Sequence, residues 1–181
     1  MLDIHLLTTD AEARLAAETM ATSEPWLTLG RGFEESLALL HDPTREVYVA
    51  CDGDALRGFL ILSLKGALSG YIQTVAVTAD ARGRGIGSRL VAFAEERIFR
   101  DFANVFLCVS SFNPRAQALY KRLGYEVVGE LKDYLVREHA EILMRKSIGP
   151  IGEFASFSAS SASPRENSDC FKRLTLEEES K

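Results

Sequence analysis

The sequence predicts an α+β fold, with a mixed and predominantly antiparallel central sheet and helices on both of its faces. Three observations predict it. Strand-type and helix-type apolar patterns succeed one another in the order β-α-α-β-β-β-α-β-α-β-β. The early strands are joined by a tight turn and must run antiparallel, whereas the later ones are separated by segments long enough for helical crossovers. The chain has 181 residues, 46% hydrophobic and 26% charged, which is the size and composition of one globular domain.

Residues 2–7 form the opening strand. Asp10 is placed as the cap of a helix reaching about residue 22, with Ala11, Leu15 and Ala16 on its apolar face. Ser23, Glu24, Pro25 and Trp26 break that helix, and a second follows at 33–40. Residues 46–51 and 56–64 are strands flanking Asp52, Gly53 and Asp54, a hairpin turn. A strand at 71–78 leads into a helix at 86–100, where Ile86, Leu90, Phe93, Ala94 and Ile98 recur at core spacing. After a strand at 104–110, Asn113 is an N-cap and Pro114 a first helical residue, and Gly124 lies just past a helix ending near 123. Strands at 125–130 and 140–146 complete the order.

Composition excludes several classes. Net charge is −5, from 21 Lys and Arg against 26 Asp and Glu, which argues against a protein that tracks nucleic-acid phosphates. No apolar run approaches the 18 or so residues of a membrane span, and the N-terminal residues do not read as a secretory signal. Three widely spaced cysteines, Cys51, Cys108 and Cys170, fit a reducing cytoplasm better than a disulfide framework or a zinc site. His5, His41 and His139 show no ligand spacing, so no metal is implied. The composition changes near Gly149. Residues 1–147 read as the domain, and residues 148–181, crowded with serines such as Ser156, Ser158, Ser160, Ser161 and Ser163, read as a disordered tail.

The strand at 71–78 runs into a turn of unusual chemistry: Arg82, Gly83, Arg84, Gly85, Ile86, Gly87 and Ser88, directly at a helix start. Glycine lets backbone N–H groups converge, and a helix N-terminus adds unsatisfied donors and a partial positive charge. The product is a cradle for phosphate or pyrophosphate. No lysine follows as a Walker A loop requires, and the spacing is G-x-G-x-G rather than the dinucleotide G-x-G-x-x-G. What remains is R-x-x-G-x-G, filled by Arg82, Gly85 and Gly87. Taken alone, the turn also fits a glycine-rich surface loop with solvated arginines.

Here the sequence resembles the GNAT superfamily of N-acetyltransferases, which bind the pyrophosphate of acetyl-CoA with this loop. A second hallmark follows in the expected order, N-x-x-A-x-x-x-Y-x-x-x-G-[FY], filled by Asn113, Ala116, Tyr120, Gly124 and Tyr125. The resemblance covers residues 1–147. It implies an acyl-CoA N-acyltransferase-like fold and acetyl-CoA as cofactor. Arg82, Gly83, Arg84, Gly85, Ile86, Gly87 and Ser88 would hold the pyrophosphate. Val75, Ala76 and Val77 would bind the pantetheine through backbone, with Asn113 near the same arm, and Tyr120 would be the general acid. Trp26 and Gln73 fall on the acceptor side; Asp133 and Tyr134 would form the opposite wall.

The implied reaction is direct attack of a primary amine on a thioester, the amine belonging to a small molecule or a protein N-terminus. An α-amino group with a pKa of about 7.7–8.0 needs less help to lose its proton than a lysine near 10.4. The general base has no matching residue. Cys108 stands where ribosomal-protein alanine acetyltransferases resembling this chain carry a glutamate, and Tyr71 falls near the glutamate of histone-type members. Cys108 as an acyl-carrying nucleophile competes with Cys108 as a small core residue. Gln73 through a water, Glu24 and His139 are the other candidates for base. A non-catalytic acyl-CoA-binding or regulatory module with the same fold is the alternative function. Expected besides are no nucleic-acid or membrane partner, a monomer or homodimer, and a cytoplasmic location.

Overall fold

A computed structural model describes residues 1–152 and 154. The elements are β1 (Leu2–Leu6), α1 (Asp10–Ala21), α2 (Phe33–Leu40), β2 (Glu46–Asp52), β3 (Ala55–Ser63) and β4 (Tyr71–Val77). A short 3-10 turn (Ala79–Ala81) then precedes α3 (Ile86–Ile98), β5 (Asn104–Ser110), α4 (Pro114–Arg122), β6 (Glu126–Lys132) and β7 (Ala140–Ser147). The expected order of elements is the observed one. The expected tail, beyond its first positions, and Cys170 lie outside the described residues; Cys51 and Cys108 are free thiols. Among the described residues no helix is long and apolar enough to cross a membrane.

The strands form one seven-stranded sheet in the order β1-β2-β3-β4-β5-β7-β6. Every neighbouring pair is antiparallel except β4 and β5. Helices cover both faces, as expected. In β3, Phe59 and Ile61 point to one face, where they join Ala16, Ala17, Met20 and Leu40 of α1 and α2. Leu60 and Leu62 point to the other, where they meet Leu90, Val91, Ala94 and Ile98 of α3. Period-two alternation in a strand buried on both faces is what makes β2 and β3 nearly continuous apolar runs.

Two details of α1 differ from the sequence reading. Its cap is Thr9, one residue earlier than Asp10. The Thr9 hydroxyl accepts from the Glu12 N–H at 3.2 Å, and the Glu12 carboxylate accepts the Thr9 N–H at 3.0 Å, a reciprocal capping box. The buried face is Ala13, Ala16, Ala17 and Met20, while Ala11 and Leu15 are exposed. Small alanines allow close packing on the sheet, and a helix rich in them carries little contrast to read its face by.

The parallel pair is short. β4 and β5 pair only at Tyr71 with Phe106 and at Ile72 with Leu107. Gly70 clamps this end: its carbonyl accepts from the Phe106 N–H at 3.0 Å, its φ is +81°, and a Cβ there would sit 2.5 Å from the Asn104 carbonyl. Beyond Ile72 the two strands part. The β3–β4 register shifts at this point, with Leu62 opposite Ile72 and Ile61 opposite Thr74, so Gln73 is the extra residue of a bulge. The bulge turns β4 over, and it twists the strand away from β5.

Candidate active site

The fork between β4 and β5 leaves one edge of β4 without a partner strand. The Thr78 N–H bonds the Arg57 carbonyl of β3, so by alternation Ala76 and Thr74 also turn their backbone to β3. Val75 and Val77 then turn theirs into the fork. Consistent with this, the Val77 carbonyl accepts from Arg82 Nε at 3.4 Å rather than from β3.

A cleft of about 570 Å³ occupies the fork and passes from one face of the sheet to the other. Glu24, Pro25 and Trp26 line it on the α1–α2 side. Ile86, Gly87, Ala116 and Leu119 line it from α3 and α4. Of the residues expected at the site, Val75, Ala76, Val77, Arg82, Gly83, Gly85, Ile86, Gly87, Ser88, Asn113 and Trp26 line this cleft together. Ile86 buries its side chain in the core and offers its backbone. Trp26 packs with Met20 and Leu40 and also borders the cleft.

The loop has the geometry of an anion cradle. Gly83 and Gly85 hold φ of +79° and +78°, with nothing within 4 Å of a notional Cβ, so conformation rather than space demands glycine there. Gly85 is the N-cap of α3 without any side-chain cap, which leaves the first N–H groups of the helix free for a ligand. Gly87 keeps the helix start close to Val77 and Leu119, whose side chains lie 3.7 and 3.8 Å from its notional Cβ. Arg82 on this loop, together with Arg115 and Arg122 on α4, brings cations to the same cleft; the two α4 arginines were not singled out in the sequence. These residues fit a pyrophosphate-bearing ligand in charge and donor number. Arg84 does not line the cleft and instead lowers the pKa of the nearby Asp52 and Asp80 carboxyls, a minor contribution in each case.

On α4, Asn113 caps the helix through its side-chain oxygen, which accepts the Ala116 N–H at 3.1 Å. Tyr120 is buried, with its ring edge-on to Tyr125 at 5.7 Å and inside the α3–α4 core. It does not line the cleft wall, and its hydroxyl has no hydrogen-bond partner among the described residues. Burial pushes its pKa up to about 12, so the phenol holds its proton at neutral pH. Gln73, at the bulge, also stays off the wall, and its side-chain oxygen is buried without a partner. Asp133 and Tyr134 lie in the β6–β7 loop, closed by a hydrogen bond from the Asp133 N–H to the His139 carbonyl, and neither lines the cleft.

A polar group that sequence reasoning missed sits where the fork opens, on the Trp26 face of the sheet. Burial pushes up the pKa of the Tyr71 phenol and of the Cys108 thiol, which lie in hydrogen-bond contact. Cys108 is therefore no activated thiolate. Next along β5, Ser110 is buried and donates its hydroxyl to Glu141 Oε1 of β7 at 2.6 Å. Glu141 is only 6% exposed, and burial raises its pKa while the Ser110 hydrogen bond pulls it back. The only available signal was an acid inside the apolar strand Ala140–Ser147; its partner lies 31 residues away.

Elsewhere, His5, Glu12 and Cys51 bring potential ligand atoms within 4.8 Å of one another. Both ring nitrogens of His5 are already engaged, by Asp3 and Glu12 at 3.0 Å each, so the group reads as an ion pair.

Comparison with known proteins agrees with this geometry. The family described as acetyltransferase (GNAT) matches residues 11–125. Blasticidin-S acetyltransferase of Streptomyces morookaense is 36% identical over 78 residues, covering 39% of this chain and 57% of that protein, so the shared stretch spans little more than half of that relative. N-alpha-acetyltransferase RimI of Mycobacterium tuberculosis is 33% identical over 129 residues, 67% of this chain and 75% of that one. Among solved structures, an aminoglycoside 6'-N-acetyltransferase complexed with coenzyme A superposes with a TM-score of 0.68 at 20% identity. It covers 82% of this chain and 98% of its own, a likeness of fold.

Proposed function

Since the chain belongs to the acetyltransferase (GNAT) family, we propose that it transfers an acetyl group from acetyl-CoA to a primary amine, of a small molecule or of a protein N-terminus, by direct attack. The observation that carries the reading is the cleft running through the sheet at the β4–β5 fork. It gives the donor one face and the acceptor the other, with the open edge of β4 between them. The bound donor supplies a thioester, an acyl group already activated.

The chain's own residues orient and stabilise. The glycine turn and the start of α3 hold the pyrophosphate, and the N–H groups of Val75 and Val77 bind the arm and the developing oxyanion. Tyr120, one helical turn beyond Ala116 of the cleft wall and on the same helix face, keeps its proton at neutral pH and is the group to give it to the departing thiolate. The shielded Cys108 thiol favours direct attack over an acyl-enzyme. Two relatives support an amine acceptor, since one is named for acetylating blasticidin S and the other for N-alpha acetylation. Glu24 beside the cleft and the net charge of −5 suit a cationic one.

The test is thiol release from acetyl-CoA with a panel of small amines and peptides. Amine-dependent release by the wild type, lost together with acetyl-CoA binding in Gly85→Glu, is the expected result. Tight binding of acetyl-CoA with no amine-dependent release would instead identify a non-catalytic acyl-CoA-binding module.

A further inference from the structure

We propose that Glu141 is the general base of this reaction, held by Ser110 on the Trp26 face of the fork to take the proton of the incoming amine. The inference rests on the acetyltransferase reading and deepens it. It supplies the group that neither Cys108 nor Tyr71 provides.

Val105, Leu107 and Val109 of β5 point into the α3–α4 core, so Phe106, Cys108 and Ser110 point to the opposite face. On β7, Ile142 and Met144 share that core, so Glu141 and Leu143 share the face of Ser110. Ser110 and Glu141 are direct partners in the β5–β7 register, and their side chains meet at 2.6 Å. This is the face from which Glu24 and Trp26 border the cleft, and β5 continues within two residues of Ser110 into Phe112 and Asn113, which line it. The carboxylate therefore stands one strand in from the fork, behind the cleft wall on the acceptor side.

The groups around it leave the role to Glu141. From β4 comes the Tyr71 phenol and from β5 the Cys108 thiol, both kept protonated by burial. From β6 the residue opposite is Leu131. Two residues earlier on its own segment, His139 packs its ring edge-on against Phe112 at 4.9 Å. The second carboxylate oxygen has no hydrogen-bond partner among the described residues, and Glu141, like Ser110, stands behind the cleft wall rather than in it. A buried carboxyl whose pKa is raised by burial is a better base for an ammonium than an exposed one, because it gains more by accepting the proton.

The protons balance. Glu141 takes one from the ammonium, and the freed lone pair of nitrogen forms the C–N bond. The C–S bond breaks as the sulfur leaves with the proton of Tyr120, and the second nitrogen proton returns Tyr120 to its phenol form. Glu141 then releases its proton to water, so one ammonium and one thioester give one amide, one thiol and one proton.

The test compares the wild type with Glu141→Gln, which keeps an acceptor for Ser110, and with Ser110→Ala. In Glu141→Gln, acetyl-CoA affinity is expected to stay within about threefold while kcat falls at least about 100-fold, and the acidic limb of the kcat profile should vanish. In Ser110→Ala that limb should move to higher pH, because a hydrogen bond to the charged form is lost. Independently of turnover, carbon-13 spectra of protein labelled at glutamate carboxyls should show one group titrating above the ordinary range, absent in Glu141→Gln. A variant that raises KM alone and keeps the acidic limb would make Glu141 an ammonium-binding residue and overturn the proposal, as would an unchanged rate or an ordinary titration. If the wild type acetylates no amine, the acetyltransferase reading falls first and takes this inference with it.

Discussion

One face of this sheet is built in two ways. Over β2 and β3 it carries Val47, Val49, Phe59 and Ile61, sealed beneath α1 and α2. Over β5 and β7 the same face carries Cys108, Ser110 and Glu141 beside Phe106 and Leu143, with Cys108 only half-buried. A sheet face beneath helices is stabilised by apolar area, at about 25 cal/mol per Å² removed from water. A face left to a substrate must keep groups that respond to it. On the proposed role of Glu141, the change of composition across a few strands marks the border between support and chemistry, and it falls at the fork.

Substitutions on the two sides should fail differently, and the largest effect belongs to the covered side. Phe59→Ala is expected to cost about 4 kcal/mol of stability by emptying a fully buried site, measured by urea unfolding. The folded fraction should still bind acetyl-CoA; a loss of binding without a loss of stability would erase the border. Tyr120→Phe is the opposite kind of change, because it keeps the ring in the core and removes a hydroxyl that has no partner. Stability should hold, while kcat drops about 100-fold at unchanged KM in the thiol-release assay. A stability change larger than the kinetic one would assign Tyr120 to support.

The smallest effect lies at the rim of the covered side. The His5 hydrogen bond is the largest of several that hold the Glu12 carboxyl down to about 2 from an ordinary 4.5. That contribution is complete above 4.5 and disappears as pH falls toward 2. The Glu12 hydrogen bond raises His5 above its ordinary 6.5, so the histidine's contribution is complete below 6.5 and fades as pH rises through the raised value. The pair is strongest between those limits. Glu12→Gln, which preserves the helix cap, should lose about 1 kcal/mol at pH 5.5 and flatten the acid slope of stability.

The order of elements, the capped start of α4 and the glycine turn were legible because each is a local signal: a period, a cap, a required positive φ. The buried face of α1 was not, because its alanines carry little hydrophobic contrast. The bulge at Gln73 was not either, since it exists only as a mismatch between β3 and β4. Glu141 was hidden for a related reason. A carboxylate in an apolar strand gains meaning only from Ser110 across the register and from the parting of β4 and β5 nearby. Local chemistry could be read along the chain; cross-strand chemistry needed the register.

Two residue pairs join β4 to β5, and past them the sheet is one strand short. A donor lying along Val75 and Val77 would complete the missing ladder, coupling the folding equilibrium to the supply of its own reactant. At a free donor concentration of 100 times Kd, such linkage adds about 2.7 kcal/mol to the folded state. The amide protons of Val75 and Val77 become a clock for that coupling, exchanging quickly in the empty fork and slowly in the filled one.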